Sequence, residues 1–481
     1  MDIIGILKDY PLCHRCFGRL CGKVLHTSNY ERGKSIKMAK AMELESKLYS
    51  LMEKYDDGNN EDIDKDNDDY KDNNNDKDND TNHNLDACNN NKGNDMDKIL
   101  QKIKEDLYYI HRSGLLEIKG INGEEEYSTN ENMEINCPWC KSIFNEKNLN
   151  DILEGALSLL KDYQYDSFLV GTILPKDIKK LEEEIRTPYM ESIRQEFNRV
   201  MGRLLVENTG KIVDKQNPDI VIKINPYNKK IELQVNSIFI KGRYRKLIRG
   251  IPQTKWPCNH CRGKGCENCN YTGKRYNTSV EEIIAEPFME VFKGKDESFH
   301  GAGREDIDVR MLGKGRPFVL QIKEPKIRKA NLEEIKEKIN RSGSVEVLNL
   351  EYGIKRDVVF FKNEPHRKTY LAVVECEEEV SNEELLKVVK NLENSSIDQR
   401  TPLRVSHRRA DLIRVRRVYD VEVNRIDPKT FELKIYCDGG LYIKELISGD
   451  ENRTLPSVSE ILNKKCKCKT LDVLEVHDED V

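Results

Sequence analysis

Eight of the chain's 14 cysteines fall in four Cys-x-x-Cys pairs, Cys13/Cys16, Cys137/Cys140, Cys258/Cys261 and Cys266/Cys269, and nothing else in the 481 residues restricts the fold as strongly. The start, Met1 to Tyr10, has no basic stretch followed by a long apolar run, and no segment reaches the roughly 18 consecutive apolar residues of a membrane span. A cytoplasmic protein is therefore expected, with no membrane partner. Thiols stay reduced there, so metal ligation explains paired cysteines better than disulfides do. Two pairs supply four soft ligands in the arrangement structural zinc takes, and four thiolates leave no open coordination position for chemistry. The bland alternative is a set of reduced, partly buried thiols. Cys261, Cys266 and Cys269 also fit the spacing of a plant-type iron–sulfur run, which stands as a second reading for that cluster.

For Cys13/Cys16 to meet Cys137/Cys140, everything between them must leave and return. The middle of that excursion is almost entirely Asn, Asp and Lys; from Asp56 to Asp97 there are 15 acidic residues against four Lys, a local charge of −11 that leaves +6 for the remainder. Such a composition buries too little apolar surface to offset chain entropy, so a disordered insert is expected at about residues 55–96. Apolar spacing predicts helices on either side, over Ser35–Leu51 and Asp97–His111.

A chain of this length exceeds what one hydrophobic core supports. The expected modules are an N-terminal zinc module at 1–147, an α/β module at 148–253, a zinc knuckle at 254–280 and an α+β domain at 281–481. In the second module, helices are predicted over Asp151–Leu160 and Glu182–Leu205, and strands over Ser167–Ile173, Ile220–Ile224 and Ile231–Ile240. In the last domain, β-branched and aromatic runs predict strands over Arg316–Ile322, Asp357–Phe361, Tyr370–Cys376, Leu412–Val423 and Phe431–Cys437. Helices are predicted over Leu332–Ile339 and Glu383–Leu392, and the whole is a large, mostly antiparallel mixed sheet.

Three segments of that domain carry chemistry. Gly301 to Arg310 packs Glu305, Asp306 and Asp308 beside Arg304 and Arg310, and a nearby guanidinium keeps a carboxylate charged when substrate excludes water. Lys368-Thr369-Tyr370 opens an apolar run, and Gly439-Gly440 leads into Tyr442-Ile443-Lys444-Glu445-Leu446. Taken singly, these read as a salt-bridged loop, a core tyrosine and a solvated lysine.

Together, and in this order, they resemble the aspartate, tyrosine and third motifs of the pseudouridine synthase superfamily. Along nearly its whole length the chain resembles the archaeal-type tRNA pseudouridine-54/55 synthase family: the N-terminal cysteine pairs, a THUMP-like second module, Trp256-Pro257-Cys258, His300 to Asp306 and Arg400 to Asp411 all take part. The acidic insert is the main departure. The resemblance implies a pseudouridine synthase domain acting on tRNA in the TΨC arm, with structural zinc, no organic cofactor and no obligatory protein partner evident. It implies Asp306 as the essential carboxylate, Tyr370 stacking on the target uracil, Lys444 paired with Asp306, and Tyr442 and Leu446 lining the pocket, with Arg304 beside them. Asp308 is the rival acid; the family pattern places the acid two residues after the arginine and favours Asp306.

From Arg400 to Arg417 seven Arg face one Asp, interleaved with apolar residues. Arg without Lys suits bidentate phosphate contact, so Arg400, Arg404, Arg408, Arg409, Arg414 and Arg416 are expected on RNA. Arg243, Arg245, Lys246 and Arg249 form a second basic stretch, expected to close the THUMP-like module and grip tRNA again. Two rivals remain. A methyltransferase or thiouridine synthase needs a glycine-rich nucleotide loop after an apolar strand, which Gly301-Ala302-Gly303 lacks. A non-catalytic zinc-containing tRNA-binding or chaperone protein would make Asp306 structural.

Overall fold

The computed structural model describes residues 2–23, 26–60, 86–114, 137–363 and 366–477, with the side chains of 55–60, 86–94, 362–363 and Arg408 also left aside. Two compact units emerge, residues 1–161 with 167–234, and 162–166 with 235–481.

In the first unit α1 (Ile3–Asp9) and α2 (His14–Gly18) precede two long helices, α3 (Asn29–Asn60) and α4 (Asp86–His111), which pack on each other. Both run further into the acidic segment than apolar spacing predicts, because Asn and Asp lower helix propensity without forbidding it. The centre of the insert, 61–85, lies outside the described residues. Lys37 is fully buried in α3, and its ammonium donates to the carbonyls of Leu12 (2.6 Å) and Ser113 (2.7 Å), joining the chain just before α2 to the chain just after α4.

After α5 (Glu146–Leu160) come β1 (Ser167–Thr172), α6 (Lys176–Glu184), α7 (Ile193–Thr209), β2 (Ile212–Val213), β3 (Ile220–Asn225) and β4 (Lys230–Val235), with the strands ordered β2-β1-β3-β4. The single helix expected over Glu182–Leu205 is two. Pro188 interrupts the backbone ladder, and Ser192 restarts it through a reciprocal capping box with Gln195.

The second unit is built on a ten-stranded sheet. Its strands are β5 (Ile238–Lys246), β6 (Asp296–Gly301), β7 (Val309–Lys323), β8 (Val345–Gly353), β9 (Lys368–Cys376), β10 (Ser396–Arg400), β11 (Ile413–Asp427), β12 (Thr430–Cys437), β13 (Thr454–Leu455) and β14 (Cys466–Val476). The order is β13-β10-β11-β12-β9-β14-β7-β5-β8, with β6 on β7; β14 and β7 run parallel, and the other pairs described in this sheet are antiparallel. Helices α8 (Val280–Phe292), α9 (Leu332–Asn340), α10 (Lys355–Asn363), α11 (Asn382–Leu392), α12 (Ile443–Ser448) and α13 (Val458–Leu462) complete it. The core runs from Phe288 and Phe292 on α8 through Phe318 and Leu320 to Leu433, Ile435 and Leu446.

Two expectations change here. Ile238–Lys246, expected at the end of the second module, lies between β7 and β8 in the large sheet, because its alternate residues Ile238, Ile240 and Tyr244 match that sheet's core face. Asp357–Phe361, expected as a strand, is helical α10; Asp357 turns back to accept from the Ile354 N–H, and that cap outweighs the β propensity of Val358, Val359, Phe360 and Phe361.

Candidate active site and metal centres

The loop between β6 and β7 carries Gly303 to Asp306 and forms one wall of a cavity of about 480 Å³ in the second unit. Facing it are Lys368 and Tyr370 from β9, Arg404, Arg414 and Arg416 from the arginine-rich segment, and Leu441 to Lys444 at the start of α12. The three motifs far apart in sequence thus converge on one space.

A buried ionic network shapes the loop from behind. Glu305 points inward with its side chain wholly covered, accepting from Tyr244 Oη at 2.8 and 2.9 Å and from Arg316 Nε at 2.9 Å. Arg316 also donates to the Ala302 carbonyl at 2.7 Å, and Gln253 Nε2 donates to Tyr244 Oη and to the Gly303 carbonyl. Gly303 has φ +82°, and a Cβ there would meet Arg316 Nη1 at 3.0 Å and Lys368 Nζ at 3.1 Å, so no other residue fits without displacing them. Burial, followed by the Glu305 charge, drives the Tyr244 hydroxyl well above its ordinary value and keeps it a donor.

Turned outward by this inward anchor, Asp306 presents its carboxylate to the cavity. Arg404 Nη1 lies 3.0 Å from its Oδ2, and Lys444 Nζ 3.5 Å. Lys444 is closer to Asp308, at 2.7 Å, so it bridges the two acids rather than serving Asp306 alone. Burial would raise the Asp308 carboxyl, but the Lys444 hydrogen bond and charge outweigh it and hold the group below its usual range. Arg404 also binds Glu445 at 2.5 Å and lies over the Tyr442 ring at 5.6 Å. Tyr370 is nine-tenths buried with its ring on the cavity; burial pushes its hydroxyl up.

Several expected residues sit elsewhere. Leu446 is fully buried in the core, one helical turn from Ile443, which lines the cavity in its place. Arg304 lies over the Trp256 ring at 6.0 Å and reaches both this cavity and a smaller one behind it. The basic stretch at the end of β5 divides between one buried lysine and three half-buried arginines. Lys246 is wholly buried, donating to the carbonyls of Ile251, Asp306 and Ile307, and burial pushes its ammonium down to about 8. Arg249 binds Asp472 and the Asp308 carbonyl, Arg245 binds Glu346, and Arg243 binds the carbonyls of Lys314 and Val476. Lys246 props the aspartate loop from inside, while the side chains of Arg245 and Arg249 stay about one third exposed. In the other stretch, Arg400 is clamped to exposed Asp411, and Arg414 donates to Thr401, while Arg409 faces the cavity; the Arg408 side chain lies outside the described residues.

Sequence reasoning missed Arg404 as the nearest cation to Asp306, and Glu305, Tyr244, Arg316 and Gln253 as its scaffold. The adjacency of Glu305 to Asp306 was the available signal, since neighbours on an extended loop point opposite ways.

Both groups of cysteines close up. Cys13, Cys16, Cys137 and Cys140 bring their sulfurs within 4.8 Å of one another, as do Cys258, Cys261, Cys266 and Cys269. Individual separations are 3.7 Å for Cys13–Cys140, 4.0 Å for Cys258–Cys266 and 3.8 Å for Cys261–Cys269. A tetrahedron with metal–sulfur bonds of about 2.3 Å has edges of roughly 3.8 Å, so either group could hold one metal ion.

Comparison with known proteins gives a consistent match. The family model described as "Pus10, C-terminal" matches residues 239–477, and that described as "Pus10 THUMP domain, archaeal" matches 152–225. The tRNA pseudouridine synthase Pus10 of Methanocaldococcus jannaschii is 54% identical over 483 aligned positions, covering 100% of this chain and 96% of that protein. Its counterpart in Methanococcus voltae is 51% identical over 508 positions, covering 99% and 98%. That of Pyrococcus furiosus is 48% identical over 347 positions, covering 71% and 84%.

Proposed function

Because this chain belongs to the Pus10 family and is a tRNA pseudouridine synthase, we propose that Asp306 is its catalytic carboxylate and that it isomerises uridine in the TΨC arm, at position 54, 55 or both. The observation that carries the assignment is the Asp306 carboxylate on the cavity wall, held by Arg404 at 3.0 Å beside the Tyr370 ring. The reaction breaks C1′–N1, turns the base and forms C1′–C5; the proton at C5 is lost and N1 gains one, so no electrons are exchanged and no redox cofactor is required. Asp306 acts at the ribose, where a carboxylate can attack C1′ or remove a proton. Arg404 and Lys444 orient it and balance its charge. Tyr370 offers a face to the uracil taken out of its stack, and Tyr442, held at its backbone by Gln399, closes the side wall. The arginines around Arg400 to Arg416 bind tRNA phosphates at the mouth.

Zinc is the metal that best fits both cysteine groups. An iron–sulfur cluster spreads its thiolates over several irons, whereas sulfur separations of 3.7 to 4.0 Å around Cys258 to Cys269 match ligands of one ion. With all four positions filled, each zinc would be structural. A cytoplasmic site of action accords with the described helices, none of which is long and apolar enough to cross a membrane.

Asp306→Asn, assayed on a uridine-bearing tRNA transcript, is expected to abolish pseudouridine formation with nearly unchanged tRNA affinity. Retained activity would sink the assignment and return Asp306 to a structural role.

A further inference from the structure

Trp256 is one of two tryptophans in the chain, and the other, Trp139, is wholly buried. Trp256 is half-buried and lines the smaller cavity behind the aspartate loop, of about 230 Å³. Two short arms of chain, 256–258 and 273–275, hold it there. The Trp256 carbonyl accepts from the Arg275 N–H at 3.0 Å, Pro257 pairs antiparallel with Lys274, and the Cys258 N–H donates to the Gly273 carbonyl at 2.8 Å. Cys258, Cys261, Cys266 and Cys269 gather where these arms meet, and Tyr276 meets the Trp256 ring edge-on at 5.7 Å. The knuckle therefore fixes an aromatic ring that stands outside the hydrophobic core of this unit.

Arg275 and Arg304 both lie over that ring, 5.4 and 6.0 Å from its centre. Both are exposed, and neither side chain has an ion pair or a hydrogen bond among the described residues. An arginine that serves the fold has a carboxylate or a carbonyl to hold, as Arg245 and Arg249 have. These two have the indole face alone, and atoms in full contact would stand about 3.5–4.0 Å apart, so neither is seated on it. An aromatic face beside unpaired guanidinium groups suits an unstacked base and its phosphate.

The two cavities share Arg304, Asp306, Arg404 and Lys444 among their lining residues, so they adjoin at the aspartate. Asp306 and Asp308 do not oppose a phosphate there, because Arg404 and Lys444 hold them. We propose that Trp256, with Arg275 and Arg304 beside it, is the platform for the nucleotide next to the target uridine. The proposal rests on the reading that Asp306 acts at the ribose of the target. With the target base on Tyr370 and its sugar at Asp306, the strand leaving that sugar enters the smaller cavity. The neighbouring base stacks on the indole, and the arginines take the linking phosphate. Each cavity supplies one aromatic face, Tyr370 or Trp256, and the strand is held open around the ribose. Stacking is indifferent to which base it receives, so the platform adds grip without sequence preference.

The test is single-turnover pseudouridine formation on tRNA transcripts carrying one abasic residue, either 5′ or 3′ of the target, which deletes a base and keeps its phosphate. At one of the two positions the wild-type rate should fall roughly fivefold to a hundredfold, as for one base stacked on one aromatic ring. Trp256→Ala should lose a similar factor on the unmodified transcript, and its abasic penalty at that position should be smaller than the wild-type penalty by the same factor. Trp256→Phe should recover most of the loss. Because Trp139 is buried, bound transcript should quench the tryptophan emission of wild type and leave that of Trp256→Phe nearly unchanged. Equal abasic penalties in wild type and Trp256→Ala, a wild-type enzyme indifferent to both abasic positions, or emission unaltered by bound transcript would each overturn the proposal. The wild-type and Trp256→Phe arms decide even if Trp256→Ala fails to fold. Activity retained by Asp306→Asn would instead overturn the catalytic assignment, and it is read separately from the measurements on Trp256.

Discussion

Two aspartates share one lysine in this site, and their surroundings separate them. Asp308 has a side chain 66% exposed and faces only the smaller cavity, whereas Asp306 reaches the larger one and also holds Arg404. Asp308→Asn is therefore expected to keep pseudouridine formation within about tenfold of wild type, since it removes a partner of Lys444 and no reacting group; a loss as deep as that of Asp306→Asn would exchange their roles. Lys368 lines the cavity with a charge that burial disfavours. Burial, then the nearby Arg316 charge, pushes its ammonium down to about 8. The unfolded lysine keeps its proton up to about 10.4, so between those values the unfolded chain binds more protons and stability rises with pH. Below pH 8 the full cost of the buried charge is present. Lys368→Met should accordingly be more stable than wild type by about 2 kcal/mol at pH 7 in urea unfolding, with the difference shrinking towards pH 10, while its activity is lower throughout. Glu305→Ala is expected to cost about 3–5 kcal/mol, because it leaves Arg316 charged and unpaired in the interior.

Elements with strong internal periodicity were readable from sequence, and those defined by what they pair with were not. Tyr370–Cys376, Phe431–Cys437 and Leu332–Ile339 alternate or repeat cleanly and match β9, β12 and α9. Asp296 to Gly301 is polar nearly throughout and becomes strand β6 only by pairing with β7. α8 carries Pro287 at its centre and was not anticipated, although Ser279 caps its start. At the site, Tyr370, Lys444 and Asp306 could be collected from three motifs, but the Arg404 contact could not, because it depends on the chain doubling back from the arginine-rich segment. The capping box at Ser192 invites a measurement: Ser192→Ala should destabilise the first unit by about 1 kcal/mol, seen as a lower unfolding midpoint with activity kept at temperatures well below it.

For the whole molecule, metal content gives the broadest test. Zinc analysis of the purified chain should return two ions, and Cys137→Ser and Cys261→Ser should each remove one, because the two groups draw on separate cysteines. Stripping the metal with a chelator should lower thermal stability, and adding zinc back should restore it. The clamp made by Lys37 bears on how this chain can vary. By fastening residue 12 to residue 113 around its ammonium, it brings the departure and return of the long helical excursion together beside the Cys13–Cys140 group. A detour joined at its base transmits little of its own length to the place where it is joined. The tip can therefore lengthen, shorten or change composition without altering metal binding, and a short glycine–serine bridge in place of residues 61–85 should leave the zinc content intact. The same position is where a label or an affinity handle can be inserted with the least disturbance to the enzyme.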